Sequence, residues 1–355
     1  MKETCENCGA DMAWDPDADA LACPYCDHQR EVVRGDEIIL EHPLKAAAEA
    51  AVGLGLEMRA QRCGTCGATV AFGDSATAER CVYCGSPEVL EQDQNRNAIR
   101  PESLVPLDVG RETVRENFRK WRDGLWFRPN ALKKVSTKDA VGIYVPFWTF
   151  DCDVDSRWTA ESGTYYWVTE TYTTTENGKT VRKTRRVRKT RWRWTSGARR
   201  DRFDDILVCA SAGIPPKLIR RLGDFDTRDL VPYKPEYLAG WLAEEYQVDL
   251  DQGWDEGAEI VRSTQYSRCG SDVPGDTHRS LSVENHIYDI HFKHILLPVW
   301  SATYVFRGKG YPVLVNGQTG RVTGEAPFSW VKITLFVLAI LGVILGAVLI
   351  FSASQ

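Results

Sequence analysis

Eight of the eleven cysteines of this 355-residue chain fall into two copies of one pattern, Cys-x2-Cys-x14-Cys-x2-Cys: Cys5, Cys8, Cys23 and Cys26, then Cys63, Cys66, Cys81 and Cys84. Two close pairs of thiols brought together by a hairpin make a tetrahedral soft-donor cage, which selects zinc over hard cations. The copies also agree between the ligands. Cys8-Gly9-Ala10 answers Cys66-Gly67-Ala68, Trp14 answers Phe72, and Cys23-Pro24-Tyr25-Cys26 answers Cys81-Val82-Tyr83-Cys84. The pattern predicts tandem zinc ribbons over residues 1–36 and 61–91, each with one Zn2+. With four protein ligands per ion there is no place for an activated water, so both zinc ions are expected to be structural. A disulfide framework would need an oxidising compartment, and no cleavable signal peptide precedes Cys5.

At the other end, Ile333 to Phe351 is a nineteen-residue run without a charge. At a helical rise of about 1.5 Å per residue it nearly spans a hydrocarbon core of about 30 Å. It is apolar on every side, unlike an amphipathic core helix. A transmembrane helix is expected over 331–352, followed by a tail of 353–355, with Trp330 and Lys332 at the membrane interface. Arg307, Lys309 and Arg321 precede the run and no basic residue follows it. The positive-inside bias then makes this a single-pass, tail-anchored protein of the inner membrane with its N-terminal domains in the cytoplasm. Gly342-x3-Gly346 would let two such helices pack closely, compatible with a homo-oligomer.

The formal net charge is −5, and the first ribbon is itself acidic: Glu3, Glu6, Asp11, Asp15, Asp17, Asp19, Asp27 and Glu31 face only Lys2, Arg30 and Arg34. Ribbons that grip nucleic acid need a basic face, which this one lacks. Residues 37–60 are Ala-rich and read as a helical spacer, 92–103 as a polar linker, and 104–330 as an α+β domain large enough for one core. Within it, Arg111–Trp121 places Val114, Phe118 and Trp121 at helical spacing, and Pro235–Tyr246 reads as a second helix. Gly142–Phe150 is an apolar strand whose Pro146 suggests an edge or a bulge, and Ile295–Phe306 an apolar strand with Pro298 and Trp300. Tyr311–Gly324 reads as a hairpin. Matching Leu104 to Leu230 and Val145 to Leu297 suggests an internal repeat whose offsets, 126 and 152, differ by an insertion.

Residues 165–194 are the most unusual segment. Asn177-Gly178 is a preferred two-residue hairpin turn between arms rich in Thr, Tyr, Val and Trp. The register that follows sets Glu176 against Lys179, Tyr172 against Lys183, Glu170 against Arg185, Val168 against Val187 and Trp167 against Arg188. The returning arm carries Lys179, Arg182, Lys183, Arg185, Arg186, Arg188, Lys189, Arg191 and Arg193. Such charge protects a strand edge from aggregation. It also makes Arg182–Arg193 a candidate anion-binding arm for lipid headgroups, an acidic protein or, as second choice, nucleic acid with Trp192 and Trp194 as stacking groups.

Catalytic signatures are lacking. Gly178-Lys179-Thr180 has Thr173 where a phosphate-binding loop needs glycine. On a regular strand His286 and His294 would share a face and His291 would point away, so no joint metal site is expected. Asp151, Asp153 and Asp155 read as solvated strand acids, and Cys152, Cys209 and Cys269 as buried small hydrophobes. The chain is expected not to be an enzyme.

Beyond the ribbons and the final helix, Gly142-Ile143-Tyr144-Val145-Pro146-Phe147-Trp148, Tyr237-Leu238-Ala239-Gly240-Trp241 with Glu245-Tyr246, Leu296-Leu297-Pro298-Val299-Trp300 and Val315-Asn316-Gly317-Gln318-Thr319-Gly320 carry a resemblance over nearly the whole length. The chain resembles a bacterial family of tail-anchored tandem zinc-ribbon membrane proteins, whose members bear labels such as primosomal helicase-like or TFIIB-type zinc finger. The resemblance implies a membrane-bound scaffold or adaptor working beside SPFH/flotillin-like or phage-shock-protein-A-like proteins in envelope stress. The helicase label is at odds with the missing phosphate-binding loop.

Overall fold

The structure, a computed structural model, describes residues 3–33, 38–50, 52, 59–72, 80–92, 95, 98–134, 140–176, 179–223, 225–306 and 309–353. In the first four-cysteine module, β1 (Ala13–Asp15), β2 (Ala20–Ala22) and β3 (Gln29–Arg30) form a small antiparallel sheet. The expected helical spacer is a short strand, β4 (His42–Pro43), and a 3-10 turn, Leu44–Glu49; residues 53–58 lie outside the described residues. Helix propensity of the alanines yields here to pairing of His42 and Pro43 with the main sheet. In the second module β5 (Arg59–Cys63) pairs with both β6 (Thr69–Phe72) and β7 (Val89–Gln92). Among the described residues these three strands join the body in one twelve-stranded sheet, β6 pairing with β12 (Leu242–Glu245) of the body.

The body follows as β8 (Ser103–Leu104), α1 (Arg111–Asp123), β9 (Val141–Glu176), β10 (Lys179–Cys209), α2 (Pro216–Leu222), β11 (Val231–Pro232), β12 (Leu242–Glu245), α3 (Leu250–Asp272), β13 (Thr277–Phe306), β14 (Lys309–Asn316), β15 (Val322–Gly324) and α4 (Trp330–Ala353). As its spacing predicts, α1 buries Val114 and Phe118. The helix expected over Pro235–Tyr246 does not form. A 3-10 turn, Pro235–Leu238, stops before Gly240, whose φ of 78° lies in the left-handed region. Leu242–Glu245 then becomes a strand, parallel to β9 and antiparallel to β6. Filling that slot satisfies backbone groups on both sides, which outweighs the helix preference of Leu-Ala-Glu-Glu. Conversely α3 has no counterpart in the sequence reading, because Gly253 and Gly257 interrupt its pattern. A Cβ on Gly253 would stand 2.6 Å from Trp148 Cδ1, so the glycine is what lets helix and strand close up.

The body is a repeat of the unit strand–helix–long strand–return strand. β8, α1, β9 and β10 form one copy; β12, α3, β13 and β14 form the other. Val145 pairs with Leu297, and β9 and β13 run antiparallel outward from that pair, so Tyr144 faces Pro298 and Pro146 faces Leu296. The first strands are exchanged: β8 lies parallel to β13 at Ser103–Ile295 and Leu104–Leu296, and β12 parallel to β9 at Leu242–Ile143 and Ala243–Tyr144. Each proline sits where one flanking strand ends and the next begins, so its missing N–H is not called on. Ala210 N donates to Pro146 O at 2.9 Å, and Gly317 N to Pro298 O at 2.8 Å. The match of Val145 to Leu297 thus holds, but Leu104 corresponds to Ala243 rather than Leu230. The second Leu-Val-Pro contributes β11, in which Val231 pairs with Leu104 itself. A three-residue extended motif was too short to fix the alignment.

β9 and β10 keep the hairpin register read from the sequence, including Glu170–Arg185, Tyr172–Lys183, Val168–Val187 and Trp167–Arg188. The turn at Asn177-Gly178 lies outside the described residues. β13 ends its pairing with β9 at Thr277–Gly163. Thr164–Glu176 and Lys179–Arg191 therefore continue as a free two-stranded ribbon, about 43 Å long at about 3.3 Å per residue.

Candidate metal centres and the basic ribbon

In both modules the two Cys-x2-Cys turns bring their sulfurs together. Sγ–Sγ separations are 3.5 Å for Cys5–Cys26, 3.4 Å for Cys8–Cys23, 3.6 Å for Cys63–Cys84 and 3.5 Å for Cys66–Cys81. All ligand atoms of each group lie within 4.8 Å of one another, so each group can hold a metal ion. A tetrahedron with metal–sulfur bonds of about 2.3 Å has edges of about 3.8 Å, close to these separations, whereas a disulfide needs about 2.05 Å. Within each cage one thiol is held down while neighbours are held up, Cys8 and Cys26 in the first and Cys66 and Cys84 in the second. The N–H of Tyr25, then that of Cys26, hold Cys23 down at about 7. The Cys66 thiol, with the N–H groups of Cys84 and Tyr83, holds Cys81 at about 5.

The modules seat differently on the body. Trp14 of the first is buried, donating from Nε1 to Leu107 O at 3.1 Å, while its own carbonyl accepts from Trp241 Nε1 at 3.0 Å. Its ring lies 4.8 Å from that of Tyr237. The side chain of its counterpart Phe72 lies outside the described residues. The second module docks through its knuckle: Tyr83 Oη donates to Glu244 Oε2 at 2.6 Å, and Ser211 Oγ to Glu244 Oε1 at 2.7 Å. The carbonyls of Val82 and Tyr83 accept from Ser301 Oγ at 2.6 Å and Thr303 Oγ1 at 3.0 Å. Burial pushes Glu244 up to about 8. No local spacing marks Glu244 as the partner of Tyr83, 161 residues away, or Ser211 as the second donor to Glu244, 33 residues away.

On the free ribbon the two faces differ. One carries Glu170, bonded to Arg185 at 3.5 Å and Lys189 at 2.9 Å. It also carries Lys183, Arg191 and, further in, Arg193. The other sets Tyr165, Trp167, Thr169, Thr171, Thr173 and Thr175 against Arg182, Arg186 and Arg188, and no carboxylate stands on it among residues 163–175 and 180–192. The cation–aromatic contacts run diagonally rather than straight across: Arg186 lies 5.6 Å from the Trp167 ring, Arg188 4.1 Å from Tyr165, Arg185 5.5 Å from Tyr172 and Arg191 5.4 Å from Tyr166. Long side chains reach the neighbour two residues along, so register alone does not name the contact.

Two further readings change. A bulge between Tyr288 and His291 reverses the alternation, so His286 and His291 share a face and His294 turns inward. His294 is buried against Trp148, with Nδ1 2.7 Å from Ile99 O, and burial pushes it down to about 4. The three do not converge. Asp151 is not a solvated acid but buried; its Oδ1 accepts from Asp205 N at 2.7 Å, beside Lys293, which bridges Glu41 and Asp205 at 2.9 Å each. Asp155 is paired with Arg200 at 2.6 Å.

α4 is long and apolar enough to cross a membrane, and its span Trp330–Ala347 leaves its apolar side chains exposed, touching the body only near its start. At its start Lys332 Nζ donates to Trp126 O at 3.2 Å and to Asn130 Oδ1 at 2.7 Å, while Trp330 is exposed.

A Bacillus subtilis protein described as uncharacterized, YdjG, is 26% identical over 350 residues, covering 95% of this chain and 93% of its own length. No family model and no solved structure matches the chain.

Proposed function

We propose that this is a non-enzymatic scaffold or adaptor of the inner membrane, spanning it once through α4 with the rest of the chain in the cytoplasm. Zinc is the metal that the eight thiolates fit: Cys5, Cys8, Cys23 and Cys26 would hold one ion, Cys63, Cys66, Cys81 and Cys84 the other, and each would lock a knuckle against the body. The basic ribbon would recruit an acidic protein or anionic lipid. The observation that carries this reading is the ribbon face of Arg182, Arg186 and Arg188, which leaves the sheet beyond Gly163 with no carboxylate on its own side. The resemblance read from the sequence points to SPFH/flotillin-like or phage-shock-protein-A-like partners. A second reading, membrane-tethered nucleic-acid binding, is favoured by Trp167 and Trp194, which are 58% and 70% exposed on the arginine-bearing face.

A mild-detergent pull-down after in-cell crosslinking, with and without nuclease, separates the two. Membrane proteins that survive nuclease support the adaptor; capture that disappears with nuclease supports the second reading and overturns the first.

A further inference from the structure

The turn after α1 is tied to the foot of α4. Phe127 O accepts from Ser329 N at 2.8 Å, and Lys332 Nζ joins Trp126 O to Asn130 Oδ1. The Phe127 ring meets Phe336 edge-on, with centroids 5.2 Å apart. Phe336 is three residues past Ile333, where the uncharged run begins, which puts it about 4.5 Å further along the helix axis. A side chain in contact with Phe336 therefore stands level with the outermost acyl carbons if α4 spans the bilayer. Beside it the Trp126 indole is 76% exposed, as open as Trp330 at 75%. Arg128 lies 3.7 Å over the Phe328 ring, close to the Arg221 guanidinium. Exposed aromatic rings at the boundary are the arrangement that suits a headgroup layer.

We infer that Leu125-Trp126-Phe127 is a second membrane contact, inserting beside α4 with Trp126 in the headgroup–acyl boundary. This rests on the reading of α4 as a spanning helix. The body is then held to the bilayer at two points and cannot swivel about a single anchor. The amphiphilic shape of tryptophan, apolar with one N–H donor, suits that depth. The local turn is rigid enough to present it, since Trp126 N donates to Gly124 O at 3.0 Å and Arg128 N to Leu125 O at 3.2 Å.

The test places photoreactive benzoylphenylalanine at position 126, 330 or 194 of the full-length protein, reconstituted in phosphatidylethanolamine–phosphatidylglycerol vesicles. Lipid adducts are then read by mass spectrometry. Adducts at 330 and 126 but not at 194, on the far ribbon, are expected. Adducts at 330 alone overturn the second contact and leave the anchor standing. Adducts at neither 330 nor 126 remove the spanning reading and this inference together. Equal yields at all three positions also overturn it, because labelling would then not depend on depth.

Discussion

Trp148 and Trp300 make the same hydrogen bond in opposite directions. Trp148 Nε1 donates to Val248 O at 2.9 Å and Trp300 Nε1 to Val109 O at 2.8 Å. Each acceptor stands two residues before a helix, α3 or α1, and belongs to the other copy of the repeat. The two indoles thus fasten the exchanged halves, and both rings are fully buried.

Replacing either indole by Phe leaves a carbonyl without its donor. Trp148→Phe and Trp300→Phe are each expected to cost about 1 to 3 kcal/mol from the unpaired acceptor, apart from lost volume. Urea unfolding of the two variants should give similar shifts in midpoint. A shift for one and none for the other would break the proposed equivalence.

The knuckle tyrosines give a contrast at matching positions. Tyr25 is 81% exposed and Tyr83 is 2% exposed. Tyr25→Ala should stay within about 0.5 kcal/mol of the parent, and Tyr83→Ala should lose about 3 to 5 kcal/mol. Thermal unfolding measures both.

Metal removal should reach beyond the modules. The purified, reduced protein is expected to hold two zinc ions by elemental analysis, and Cys81→Ser one. Because the Val82 and Tyr83 carbonyls are held by Ser301 and Thr303 of β13, Cys81→Ser should lower the melting temperature of the whole body. A folded, reduced sample without zinc would sink the assignment.

His294 sets a pH dependence. Its folded value, about 4, lies below the ordinary value of 6.5. Its contribution to stability is therefore complete above 6.5 and is lost as pH falls towards 4, because the unfolded chain takes up the proton first. The full loss is about 3 kcal/mol at about 1.4 kcal/mol per unit. Asp151, raised to about 6 by burial and by its hydrogen bond with Glu41, acts in the opposite sense, favouring the folded state at low pH. The difference between the parent and His294→Gln across pH 4 to 6.5 isolates the histidine term; parallel curves would refute it.

The free ribbon should be dispensable for folding. Replacing residues 165–190 by a two-residue turn removes no pairing with β13, which stops at Gly163. The melting temperature should move by no more than about 0.5 kcal/mol equivalent. Reversing Arg182, Arg186 and Arg188 to Glu should abolish partner capture with the fold intact.

What was legible in the sequence was what local chemistry repeats. Cysteine spacing gave the two sulfur cages, and alternation with an Asn-Gly turn gave the register of a hairpin whose strands are 36 and 31 residues long. What was not legible depends on distant pairing. Leu242–Glu245 became a strand because β6 and β9 flank it. α3 was hidden by glycines whose purpose is visible only against Trp148 and Phe150. The bulge before His291 inverted a face assignment that regular alternation had made. Asp151 looked like a surface acid until Lys293, 142 residues away, was seen beside it.

The exchange between the two copies also bears on the order of events during synthesis. Trp148 must wait for an acceptor 100 residues further along the chain, and the carbonyl of Val109 waits 191 residues for its tryptophan. Neither copy can close its own core as it leaves the ribosome, and contacts of such separation form slowly. Only after Trp300 has emerged can the body lock. α4 follows thirty residues behind; if it spans a membrane as proposed, folding and insertion would fall in the same interval and compete for the same nascent chain.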